Sequence, residues 1–120
     1  VPGATRMGAW EVQVSLIERD HHLETDNPFV GILDGSYADK RLWVRTRRNG
    51  DRFRPRGMAG TRKIQDFMVD AKIARGDRDL VPLLCDEEGI LWVVGHRLDA
   101  RVSLVQPGAR ALHVEFVLVR

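Results

Sequence analysis

Apolar and polar positions alternate over residues 10–17, with Trp10, Val12, Val14 and Leu16 on one side and Glu11, Gln13 and Ser15 on the other. A period of two sends successive side chains to opposite faces of a strand, so this segment predicts a half-buried β-strand. The pattern returns over residues 111–119, where Leu112, Val114, Phe116 and Leu118 are expected to face inward after a Pro107-Gly108 turn. Residues 29–33 predict a short strand closed by the turn signal Asp34-Gly35-Ser36. Residues 80–85 and 90–94 are apolar on both faces and flank Asp86-Glu87-Glu88-Gly89, which predicts a hairpin buried on both sides.

Residues 42–47 alternate as well, with Leu42, Val44 and Thr46 on one face and Trp43, Arg45 and Arg47 on the other. Trp43 reads either as a stacking platform or as core, and core is the expectation. The Asn49-Gly50 pair supplies the positive backbone angles of a tight turn, so residues 52–54 are expected to run back beside 42–47. Gly50 and Asp51 are read as structural turn residues, Asp51 being placed to pair with a neighbouring arginine. After Gly57 and Gly60 the period changes: Ile64, Phe67, Met68 and Ala71 fall at i, i+3, i+4 and i+7 and predict a helix over about 61–72, with Thr61 as N-cap and no capping box. Arg75-Gly76-Asp77 is expected to form a loop, as is the polar stretch 19–28. Six or seven strands against one main helix make the fold class α+β, mainly β: a compact antiparallel β-sandwich-like domain.

At 120 residues the chain fits one domain with one core. Its single cysteine, Cys85, excludes an internal disulfide framework, so an intracellular, cytoplasmic setting is expected. No apolar run approaches the ~20 residues of a spanning helix, and the first residues lack a signal peptide's apolar stretch, so no membrane partner is expected. Beginning at Val1 rather than methionine suggests a segment of something longer. The net charge of +2 conceals a strong asymmetry: residues 40–78 hold 13 Lys and Arg against four acids, for +9, while the remainder, with 6 basic and 13 acidic residues, carries −7. A focused positive field attracts polyanions, and nucleic acid is the leading one; a solvated basic face without a partner is the alternative.

Most candidate chemistry dissolves on inspection. His21, His22, Glu24 and Asp26 carry metal-ligating atoms but sit on an irregular loop without fixed geometry, so no metal site is expected. His96 and His113 have no neighbouring Ser or Cys nucleophile and read as structural; Cys85, inside an apolar strand, reads as a buried inert thiol. No phosphate cradle of the Gly-x-x-x-x-Gly-Lys-Ser/Thr, Gly-x-Gly-x-x-Gly or Ser-Gly-Gly-x-Asp-Ser kind occurs, so no catalytic residue and no cofactor are assigned to this chain. Arg62 and Lys63 fall in the predicted helix's first turn, where the dipole disfavours cations. Either an external anion compensates, or Asp66 pairs with Arg62 at i+4. Arg45 and Arg47 are expected to point the same way, with Arg52 and Arg54 nearby, a density of guanidinium groups that suits bidentate phosphate contacts and stacking on bases.

The run over 29–102 resembles the C-terminal domain of bacterial tRNA(Ile)-lysidine synthetase, a PP-loop ATPase family. The matching residues are Ile32-Leu33-Asp34, the stretch from Leu42 to Met58, Gly60, Lys63, Ile64, Asp66, Asp70-Ala71-Lys72-Ile73, Arg78-Asp79, Pro82-Leu83-Leu84-Cys85, Leu91-Trp92-Val93-Val94-Gly95 and Arg97. The family often has Pro where this chain has Ala74. The resemblance implies a compact β-rich fold similar to a domain of the phenylalanyl-tRNA synthetase beta subunit. It further implies a parent ATP-dependent ligase that attaches lysine to the wobble cytidine of tRNA(Ile), with ATP and Mg in an N-terminal PP-loop catalytic domain that this chain lacks. Residues 1–120 would then be one tRNA-binding domain that grips the acceptor stem through Arg45, Arg47, Arg48, Arg52, Arg54, Arg56, Arg62, Lys63, Lys72 and Arg78, its partners being tRNA(Ile) and the parent catalytic domain. The competing expectation is a scaffold or homodimerisation module without RNA contact.

Overall fold

The computed structural model describes residues 3–18, 27–102 and 109–119. Its strands are β1 (Gly3–Met7), β2 (Trp10–Glu18), β3 (Val30–Asp34), β4 (Trp43–Arg45), β5 (Arg52–Phe53), β6 (Arg62–Lys63), β7 (Leu83–Asp86), β8 (Gly89–Val93), β9 (Arg97–Leu98) and β10 (Arg110–Leu118), with one α-helix, α1 (Ile64–Asp70). Every pairing is antiparallel: a four-stranded sheet ordered β1-β2-β10-β3, a second ordered β4-β7-β8-β9, and the two-stranded ribbon β5-β6. The mainly β class and the antiparallel sandwich are as expected. His21, His22, Glu24, Asp26 and the Pro107-Gly108 turn lie outside the described residues. Among the described residues no helix is long and apolar enough to cross a membrane.

Alternation explains the layers. In the first sheet Val12 pairs with Phe116, Val14 with Val114 and Leu16 with Leu112, so one apolar face is continuous across β2 and β10. That face packs on Leu84, Leu91, Trp92 and Val94 of the second sheet and its β8 end. The opposite face of the second sheet presents Leu83, Cys85, Ile90 and Val93 to Phe53, Ile64, Phe67, Met68 and Ile73. The hairpin read as buried on both sides is therefore the middle of three layers, with the first sheet on one side and α1 plus the ribbon on the other. A bulge supports this arrangement: Leu84 pairs with Trp92 and Cys85 with Ile90, leaving Leu91 unmatched, so Leu91 and Trp92 both face the first sheet. Gly31 makes room for that packing, since a Cβ there would meet the Trp92 ring at 3.0 Å.

Six local expectations are corrected. The helix spans Ile64–Asp70 rather than 61–72, because Arg62 and Lys63 extend to pair with Phe53 and Arg52. Thr61 is thus no cap: Lys63 holds that position without a side-chain hydrogen bond, and the Asp51 carbonyl accepts the Ile64 N–H at 2.9 Å. The helix closes where Lys72 turns left-handed at φ 59°, with Lys72 N–H donating to Val69 and Ile73 N–H to Met68. The Asn49-Gly50 turn is real, with Gly50 at φ 83° and Asp51 N–H bonded to the Arg48 carbonyl, but it joins no hairpin: β4 pairs with β7 and β5 with β6. Residues 75–80 form a 3-10 turn rather than a loop, and Leu80 is exposed. Trp43 is exposed beside the Arg41 guanidinium instead of in the core, and Leu118 emerges into solvent past the end of the covered face.

Candidate nucleic-acid interface

The ribbon brings several exposed cations together. Phe53 points inward against the Phe67 ring, 5.0 Å between centroids, so by alternation Arg52 and Arg54 share the outer face, and both are exposed. Lys63, directly opposite Arg52 in the register, is exposed too. Like charges facing each other across a strand pair are destabilising unless an anion lies between them. Among the described residues, the side chains of Arg48, Arg52, Arg54, Lys63 and Lys72 make no hydrogen bond or ion pair.

Carboxylates hold both ends of β5. At its start, Asp51 accepts two bonds from the Arg45 guanidinium, 2.8 and 3.0 Å, and one from the Arg48 N–H at 2.7 Å. Burial would push the Asp51 carboxyl up, but these bonds outweigh it and leave it below the ordinary range, with Arg45 correspondingly raised. At the other end, the buried Asp99 accepts the Arg54 N–H at 2.9 Å, and Ala100 N–H donates to the Arg54 carbonyl. Asp99 is steadied by Arg101, whose side chain grips the buried Asp86 at 2.7 and 2.9 Å. The Arg101 hydrogen bonds hold the Asp86 carboxyl below its ordinary range against its burial.

The ten basic residues named from sequence therefore separate. Arg48, Arg52, Arg54 and Lys63 come together on the ribbon and its flanking turn. Arg47 stands beside them, its Nε donating to Asp79 at 2.7 Å. Arg45 is committed to Asp51, and Arg62 to Asp70 rather than to Asp66. Arg56 is half-buried, donating to the Val102 carbonyl, and Arg78 donates to the Ile73 carbonyl at 3.0 Å. Lys72 lies apart, on the rim of an apolar groove of about 980 Å³ walled by Trp10, Phe29, Ile73, Leu80 and Leu118. Sequence reading missed Asp99 and the pairing of Asp79 with Arg47, since both carboxylates lie far along the chain from the arginines they serve; Asp79 entered only as one of the residues of the family resemblance.

Cys85 is buried, and burial pushes its thiol up, away from nucleophilic reactivity. His96 is exposed at the groove's edge and His113 half-buried on β10. Among the described residues no three His, Cys, Asp or Glu are grouped to hold a metal ion.

A family model described as the TilS substrate C-terminal domain matches residues 42–116. The tRNA(Ile)-lysidine synthase of Dehalococcoides mccartyi (strain CBDB1) is 36% identical over 116 residues, 96% of this chain and 25% of the relative. That of Symbiobacterium thermophilum is 52% identical over 69 residues, 58% of this chain and 14% of the relative. A crystal structure of the TILS C-terminal domain superposes with a TM-score of 0.82 at 28% identity, covering 99% of this chain and 92% of the other. The chain spans about a quarter or less of the length of these curated relatives.

Proposed function

The chain belongs to the TilS substrate C-terminal domain family, and we propose that it is the module with which a tRNA(Ile)-lysidine synthase holds its tRNA. The parent, in this reading, is the ATP-dependent ligase that joins lysine to the wobble cytidine of tRNA(Ile); this chain contributes binding and no catalytic group. The observation that carries the proposal is the trio Arg52, Arg54 and Lys63, exposed side by side with no carboxylate partner. Three adjacent unneutralised cations are a standing cost in the free protein and a gain against phosphates, whose condensed counterions they release.

The ribbon's chemistry favours a duplex. Phe53 is the one aromatic residue between 47 and 63, and it is buried, so the outer face of the ribbon offers guanidinium and ammonium groups rather than aromatic rings. The ribbon's guanidinium groups suit phosphates and 2′-hydroxyls along an A-form stem, and the family resemblance, not the ribbon's chemistry, is what makes the acceptor stem the proposed contact. A second reading rests on the apolar groove, whose exposed Leu80 and Leu118 would suit packing on the parent enzyme or on a second copy. Mobility shift with a tRNA(Ile) transcript across a salt series, alongside sedimentation, separates the two. Salt-sensitive binding by a monomer is expected; a stable dimer without tRNA affinity would reverse the conclusion.

A further inference from the structure

We propose that the cleft between the 47–51 turn and Lys63 seats one backbone phosphate of the bound RNA, that Asp79 engages Arg47 in its place in the free protein, and that Asp51 is the positioning residue that builds the seat. This rests on the RNA-binding reading above and assigns opposite duties to two carboxylates of one cleft.

The cleft holds about 420 Å³ and is lined by Arg47, Arg48 and Lys63 together with Asp51 and Asp79. Both Asp51 oxygens are engaged, Oδ1 by Arg45 and Oδ2 by Arg45 and the Arg48 N–H, and its side chain is 13% exposed. Its carbonyl meanwhile accepts the Ile64 N–H. One residue thus ties β4, the turn and the start of α1 together, fixing Arg48 on one wall relative to Lys63 on the other.

Asp79 differs in every respect. Its side chain is 76% exposed and makes one contact, with Arg47 Nε at 2.7 Å. Exposed one-point ion pairs are weak. A phosphate offers Arg47 a bidentate partner and gains attraction as well from the Arg48 and Lys63 side chains, neither of which makes a hydrogen bond among the described residues, so it displaces Asp79. Until then, Asp79 holds the Arg47 side chain over the cleft.

The signs of two substitutions follow. Asp51→Asn and Asp79→Asn each remove one negative charge from a basic face, and electrostatics alone would have both tighten RNA binding. The proposed division of labour has them move apart.

The test is fluorescence anisotropy of the 120-residue chain with a tRNA(Ile) transcript between about 50 and 200 mM salt, at a temperature where circular dichroism shows each variant native. Asp79→Asn should tighten binding about two- to fivefold at low salt, and the gain should vanish in an Arg47→Gln background, since Asp79 acts through Arg47. Asp51→Asn should weaken binding roughly three- to tenfold. A silent Asp79→Asn, a gain that persists without Arg47, or tighter binding by a folded Asp51→Asn would each overturn the seat. If Asp51→Asn does not fold, the Asp79–Arg47 cycle decides alone. Loss of binding by Arg52→Gln with Arg54→Gln beside a silent Asp79 cycle removes the seat but leaves the RNA-binding reading; no loss from that pair removes both.

Discussion

Strand β10 runs for nine residues and is paired along both edges, by β2 and by β3, whereas β5 is two residues long and pairs only with the two residues of β6. The first is held by apolar burial: Leu112, Val114 and Phe116 are each 3% exposed or less. The second is held at its ends by Asp51 and Asp99, and only Phe53 anchors it to a core. The difference teaches how a small domain carries cations without dissolving its own core. Stability is concentrated in the apolar layers, and the charged ribbon is fastened by hydrogen bonds that leave the side chains of its outer face unpaired.

The largest effect should come from emptying the centre of the sandwich. Trp92 is 2% exposed, lies against Gly31 and meets Phe116 edge-on at 5.3 Å between centroids. Trp92→Ala should cost about 3–5 kcal/mol and lower the melting temperature by roughly 10–25 °C. Below its melting point the variant should retain the wild-type salt slope of RNA binding, because the ribbon's fastenings are elsewhere. A changed slope in the folded variant would join the two regions that the comparison separates.

The polar fastening should show a smaller effect with a pH signature. Asp86, Asp51 and Asp34 are all held below the ordinary aspartate range in the folded chain. A depressed folded pKa contributes stability that is whole above the unfolded value, about 3.9, and lost as pH falls through the folded value. Melting temperature should therefore be level above about pH 5 and fall below about pH 4. Asp86→Asn, which leaves Arg101 facing an amide, should cost about 1–3 kcal/mol at neutral pH and shallow the acid decline. An equally steep decline in that variant would show that the Arg101–Asp86 pair does not sense acid.

How much of this was legible follows the same divide. The strands over 10–18 and 110–118 declare themselves because each buries one face, and a period of two records that directly. The β7-β8 hairpin was readable from its two apolar runs and the acidic turn between them. The ribbon was not, since its strands are too short to carry a period, and Asn49-Gly50 promised β5 a partner in 42–47 that β7 takes instead. The helix was overextended because Ala71 continues the apolar spacing while exposed in fact. For the site, charge density singled out the segment that carries the ribbon, and the spaced residues of 29–102 pointed to the family. Which arginines are free was hidden, because Arg47 finds Asp79 32 positions away and Arg62 pairs with Asp70 rather than with Asp66.

Contact between the outer face of the ribbon and RNA phosphates is read out by the salt dependence of tRNA(Ile) binding for Arg52→Gln combined with Arg54→Gln. Both side chains are exposed and unpaired, so the melting temperature should stay within a few degrees of wild type. The account predicts weaker binding and a log-affinity against log-salt slope flattened by about two contacts, roughly 1.4–1.8 units. A Glu87→Gln, Glu88→Gln control on the acidic turn should leave the slope unchanged. Unaltered affinity and slope in a natively folded Arg52→Gln, Arg54→Gln variant would contradict the account.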